Sequence, residues 1–116
     1  MKFAIVVHAG PQELARALHG LLYAQDLHNA GHEVSVIFDG AGTTWVKTLE
    51  DPENKYHDVY RATKELGLIG GVCEYCAGAF GVAEDVKQSG LPIKGELHGH
   101  PSLSDLVAQG YAPLIL

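Results

Sequence analysis

Two rhythms of apolar positions alternate along the chain. Lys2 to Val7, Glu33 to Phe38, Leu68 to Val72 and Tyr111 to Leu116 are short, nearly continuous apolar runs, the pattern of strands buried on both faces of a parallel sheet. Between the first two runs, Leu14, Leu18, Leu21, Leu22 and Leu27 recur at helical spacing. Pro11 is placed to open this helix and Asn29-Ala30-Gly31 to stop it. Strand, helix and strand in succession make a βαβ unit, whose crossover is right-handed.

Further along, Asp39 to Gly42 reads as a turn, Thr43 to Leu49 as a short helix and Glu50 to Asn54 as a polar loop, with mobility expected across Asp39 to Tyr56. Tyr56 to Leu66 is predicted helical, with Val59, Ala62 and Leu66 on one face and Gly67 as its stop. Ala77 to Val82 and Glu84 to Ser89 are predicted as short helical segments, Ile93 to His98 as a fourth strand of poor alternation, and Ser102 to Gln109 as a short capped helix. The expectation is one α/β domain over residues 1–116: a three-layer, doubly wound sandwich with a mostly parallel sheet of about five strands. Such sheets place their sites at the carboxyl edge. His8, Asp39, Cys73 and His98 all fall at or just beyond predicted strand ends.

Composition narrows the function. With 116 residues there is room for one core. A formal charge of −6 with scattered Lys and Arg offers no track for a phosphate backbone, so nucleic acid is not an expected partner. No apolar run approaches the roughly 20 residues that span a bilayer, and Met1-Lys2 leads directly into a strand instead of a signal segment. The expectation is a cytoplasmic protein, in whose reducing surroundings a spaced cysteine pair reads as redox, sulfur-transfer or metal chemistry.

That pair, Cys73 and Cys76, lies where the third strand hands over to a helix. Unpaired N–H groups at a helix start favour thiolate, so Cys73 is the candidate nucleophile and is expected to have a lowered pKa. The competing reading is a packed, inert core cysteine. Cys76, three residues on, is positioned to resolve a Cys73 persulfide or to pack among Ala77, Gly78 and Ala79. His8 is a candidate to orient or deprotonate a thiol, or a solvated loop histidine. Asp39 would raise a neighbouring thiol's pKa or cap the following turn. His98-Gly99-His100 with the two cysteines has the ligand types of a zinc or copper site but not the usual spacing, so no metal ligand is assigned. The glycines form no phosphate-binding loop. Trp45, Tyr56 and Tyr60, with the apolar final strand, point to a subunit or partner surface.

The chain resembles the DsrE/DsrF-like sulfur-relay family over nearly its whole length. The resemblance is carried by Met1 to Val7, by Ala30-Gly31-His32-Glu33-Val34, by Phe38-Asp39-Gly40, and by Cys73 with the small-residue helix ending at Gly81-Val82. It implies that Cys73 accepts a sulfane sulfur as a persulfide and passes it on between protein donor and acceptor. It also implies a homo-oligomer, trimer or hexamer, with no organic cofactor. Cys76 departs from relay subunits that have a single active cysteine and leaves a dithiol function open. A redox protein using Cys73 and Cys76, or a non-catalytic oligomeric binding module, are the alternatives.

Overall fold

The computed structural model describes all of Met1 to Leu116. Five parallel strands form one sheet: β1 (Lys2–Val7), β2 (Glu33–Phe38), β3 (Ile69–Cys73), β4 (Ile93–Lys94) and β5 (Tyr111–Ile115), in the order β4-β3-β2-β1-β5. Helix α1 (Leu14–Asn29) joins β1 to β2. A 3-10 turn (Gly40–Thr43), α2 (Thr44–Glu50) and α3 (His57–Glu65) join β2 to β3, α4 (Glu74–Ala79) and α5 (Ala83–Ser89) join β3 to β4, and α6 (Leu103–Ala108) leads into β5.

Strand order decides where the helices go. The chain steps in one direction from β1 to β4, so right-handed crossovers put α1 through α5 on one face. The return from β4 past the whole sheet to β5 puts α6 on the other face. The two faces therefore hold unequal cores. One is a cluster of 20 buried residues, including Ile5, Val36, Phe38, Val46, Tyr60 and Val72. The other is Ala4, Val6, Ile37 and Leu106, with Tyr111 packed beside them.

Several boundaries differ from the sequence reading for local reasons. Pro11 does not open α1, because Gly10 to Glu13 close a turn in which the Glu13 N–H donates to the Gly10 carbonyl at 2.9 Å, and the helix begins at Leu14. The cysteine-bearing helix starts earlier than predicted, at Glu74, with Cys73 as its N-cap. The fourth strand keeps only Ile93–Lys94. Leu97 and His100 instead pair across a tight turn whose central residues, His98 and Gly99, have φ of 49° and 89°, the backbone of a type I′ turn that glycine favours at its second central position.

The aromatic residues expected at a subunit surface are mostly inside. Trp45 is buried, its indole N–H donating to the Ala9 carbonyl at 2.7 Å, and Tyr60 is fully buried. Tyr56 packs against the larger core. Residues 39–56, expected to be mobile, carry the expected short helix as α2, which buries Trp45, Val46 and Leu49 against the same core.

Candidate functional site

Sheet register builds the site before any side chain is considered. Val7 pairs with Phe38, and Phe38 with Val72. The next residues, His8, Asp39 and Cys73, therefore form a row across three adjacent strands at the carboxyl edge. Val7, Phe38 and Val72 lie in the larger core, and alternation turns the residues after them away from it.

Cys73 owes its direction to an irregularity in β3. Val36 pairs with Ile69 but Ile37 pairs with Gly71, which leaves Gly70 as an extra residue. Strict alternation from the core residue Ile69 would point Cys73 into the core; the bulge reverses that parity. Both glycines sit close against side chains: a Cβ at Gly70 would run into the Ser35 hydroxyl and one at Gly71 into the Lys94 side chain, so a larger residue at either position forces that neighbour to move. The sequence carries a signal of the bulge in the Gly70-Gly71 pair, and strand periodicity alone does not find it.

Four polar side chains converge here. His100 Nδ1 lies 3.3 Å from Cys73 Sγ and 3.8 Å from Cys76 Sγ. Ligand atoms of Asp39, Cys73, Cys76 and His100 all lie within 4.8 Å of one another. His8 stands behind Asp39, its Nε2 3.6 Å from Oδ2, while the Gly40 N–H donates to Oδ1 at 2.8 Å. The structure thus brings together Cys73, Cys76 and Asp39, with His8 at one remove. His98 stays outside the cluster and His100 joins it.

His100 is held by its turn. Leu97 and His100 exchange two backbone hydrogen bonds of 2.8 Å, the Tyr75 N–H donates to the Gly99 carbonyl at 2.9 Å, and the Tyr75 and His100 rings lie 4.9 Å apart. The Gly95–Pro101 segment therefore folds back over the cysteines instead of extending β4.

Electrostatics overturn the expectation of a lowered thiol pKa. Burial pushes the Cys73 thiol up to about 12. The N–H of Cys76, donating to Sγ at 3.4 Å, works in the opposite direction, while the Cys76 thiol and the Asp39 carboxylate add to the rise. A weak N–H···S bond at the start of a six-residue helix is outweighed by desolvation and a neighbouring anion. Both cysteines are free; Cys73 is buried and Cys76 is partly exposed. Beside the row lies a cavity of about 210 Å³ lined by Val6, His8, Asp39, Leu103, Leu106 and Ile115, open on the thinly covered face.

A sequence profile of the DsrE/DsrF-like family matches residues 1–115. The chain belongs to the DsrE/DsrF-like family. An uncharacterized protein of Methanocaldococcus jannaschii, MJ0733, is 30% identical over 115 residues, covering 96% of this chain and 92% of that protein. Two solved structures share the fold. A conserved protein of unknown function, BT1422 from Bacteroides thetaiotaomicron, superposes with a TM-score of 0.71 at 18% identity, over 99% of this chain and 94% of the other. A protein of unknown function, MTH1491 from Methanobacterium thermoautotrophicum, does so with a TM-score of 0.71 at 14% identity, over 98% and 99%. The DsrE-like fold and the neighbouring cysteines are compatible with a redox or relay role. No helix is long and apolar enough to cross a membrane.

Proposed function

We propose that this DsrE-like protein is a sulfur-carrier subunit in which the dithiol Cys73/Cys76 takes a sulfane sulfur from a protein persulfide and hands it to an acceptor protein. The observation that carries the reading is one imidazole nitrogen, His100 Nδ1, within 3.3 Å of Cys73 Sγ and 3.8 Å of Cys76 Sγ. A nucleophilic thiolate needs a base within hydrogen-bonding reach, and one histidine serves both thiols.

Cys76 is the entry thiol, because it is partly exposed and Cys73 is not. Its proton passes to His100 and its thiolate attacks the outer sulfur of the donor persulfide. A new S–S bond forms to Cys76 while the donor's S–S bond breaks, and the donor leaves as a thiol with the proton from His100. Attack of Cys73 on the outer sulfur of the Cys76 persulfide then moves the sulfur inward and returns Cys76 as a thiol. Both steps are thiol–persulfide exchanges without net redox change. Burial of Cys73 protects the carried sulfur from adventitious thiols. The exposed Leu103, Val107 and Ile115 near the cavity supply apolar area for protein donors, acceptors or further copies of the chain in a homo-oligomer.

Intact-mass measurement after treatment with a persulfide donor tests the reading. The metal-free wild type should gain one sulfur atom, recovered on Cys73 by peptide mapping, and the double variant Cys73→Ser/Cys76→Ser should gain none. Cys76→Ser should load more than about tenfold slower, while Cys73→Ser should load at near the wild-type rate and keep the sulfur on Cys76. A wild type that gains no sulfur overturns the carrier function, and Cys76→Ser loading at the wild-type rate overturns the entry role.

A further inference from the structure

Three of the four converging groups serve the proposed sulfur transfer, and the Asp39 carboxylate, which that chemistry does not use, completes a metal-donor set. Two sulfurs, an imidazole nitrogen and a carboxylate oxygen come from three separate segments of the chain: the end of β2, the β3–α4 junction and the Leu97–His100 turn. A tetrahedral zinc site with bonds of about 2.0–2.3 Å has neighbouring ligand atoms roughly 3.3–3.8 Å apart. The sulfur-to-nitrogen distances of 3.3 and 3.8 Å fall at those limits, and the whole set lies within 4.8 Å.

The supporting contacts are those a metal site uses. Asp39 is steadied by the Gly40 N–H at 2.8 Å on one oxygen and faced by His8 at 3.6 Å on the other. Cys73 Sγ accepts the Cys76 N–H at 3.4 Å, and the His100 ring rests against Tyr75. Such outer contacts orient ligands and tune their affinity. Lys94 continues the row on β4, paired with Cys73, but it is not among the four converging groups. Two thiolates and a carboxylate would gather three negative charges in a half-buried space, which a divalent cation offsets.

We propose that Asp39, Cys73, Cys76 and His100 bind one zinc ion in a closed, four-ligand tetrahedral site. The hard carboxylate beside two soft thiolates and an imidazole suits zinc better than copper(I), and a tetrahedron filled by protein ligands suits a structural or regulatory ion better than a catalytic one. The zinc-loaded and sulfur-carrying states are alternatives, because both cysteines serve as ligands in the first.

Titration of metal-free, reduced protein with cobalt(II), followed by displacement with zinc, tests the proposal without any activity readout. One equivalent per chain should produce the intense visible bands of tetrahedral cobalt together with thiolate-to-metal charge transfer, and zinc should abolish both. In competition with a chelator, Asp39→Asn and His100→Ala should each weaken zinc by at least about 100-fold, and His8→Ala by about tenfold. Asp39→Asn keeps an acceptor for the Gly40 N–H, and circular dichroism checks that each variant is folded. Failure to bind one equivalent, weak octahedral bands, or unchanged affinity in folded Asp39→Asn and His100→Ala would overturn the site, the last by reducing it to an ordinary dithiol. Sulfur uptake by metal-free protein is read separately by mass. Uptake without tetrahedral cobalt refutes the zinc site alone, and tetrahedral cobalt without uptake refutes the carrier reading alone.

Discussion

The two faces of the sheet divide the work. One lies under α1 to α5 and encloses 20 buried core residues; the other has α6 alone over four, with Tyr111 beside them. The thick side supplies most of the burial that stabilises the fold. The thin side leaves a cavity at the carboxyl edge, lined by His8 and Asp39 of the row that ends in the buried Cys73. Unequal coverage follows from strand order, since only one crossover returns across the sheet. Most of the stabilising burial is thus on one side of the strands, while the site sits at their carboxyl edge.

The sharpest test of this division compares truncations on the two sides. Phe38→Ala on the thick side should cost about 3–5 kcal/mol in urea unfolding, and Leu106→Ala under α6 about 2 kcal/mol, because a site at the rim of a small cluster relaxes into solvent. Equal losses would mean that the thin face contributes as much as the thick one. Native-state alkylation of the metal-free protein probes the edge itself. Cys76 should be modified more than about tenfold faster than Cys73, as read by peptide mass mapping, because Cys76 is partly exposed and Cys73 is buried.

A smaller effect marks an imperfection within the thick core. The Tyr60 hydroxyl is buried without a well-formed hydrogen bond, and burial first, then the nearby Glu50 carboxylate, push its pKa up. Tyr60→Phe removes this poorly satisfied buried hydroxyl and should raise stability by about 1 kcal/mol. On the thin side, His98 is the one non-glycine residue with positive φ, at 49°. His98→Asn, which tolerates that conformation better, should stabilise by about 0.5 kcal/mol and leave cobalt binding unchanged.

The smallest effect lies at the amino end of the thin face. There the Tyr111 hydroxyl donates to Glu33 at 2.9 Å, and Lys2 Nζ sits 3.3 Å from the same carboxylate. The Tyr111 hydrogen bond first, then the hydrogen bond and charge of Lys2, hold the Glu33 pKa below its ordinary value. A carboxyl depressed in the folded state stabilises above its unfolded pKa and loses that contribution as pH falls through the folded one. Wild type should therefore lose slightly more stability than Glu33→Gln between about pH 5 and pH 3, measured by thermal unfolding at each pH.

The sequence by itself determined the α/β class, the strands Lys2–Val7 and Glu33–Phe38, the α1 stripe and the chain's membership of its family. These are local or pairwise matters: periodicity names an element, and parallel neighbours need a crossover helix. The residues at the strand ends, His8, Asp39 and Cys73, were legible for the same reason, because a buried run announces where its carboxyl end lies. Only the tertiary structure decided which way Cys73 points, since side-chain parity depends on the bulge between β2 and β3. It also decided that Trp45 and Tyr60 are core residues, through the docking of α2 and α3. And it selected His100 over His98: a turn with two positive φ values sends alternate residues in different directions, and the partners that hold it, Tyr75 and the cysteines, lie more than twenty residues earlier in the chain. Burial, which set the Cys73 thiol above instead of below its usual value, is likewise a property of everything packed around a residue and not of the residues next to it in sequence.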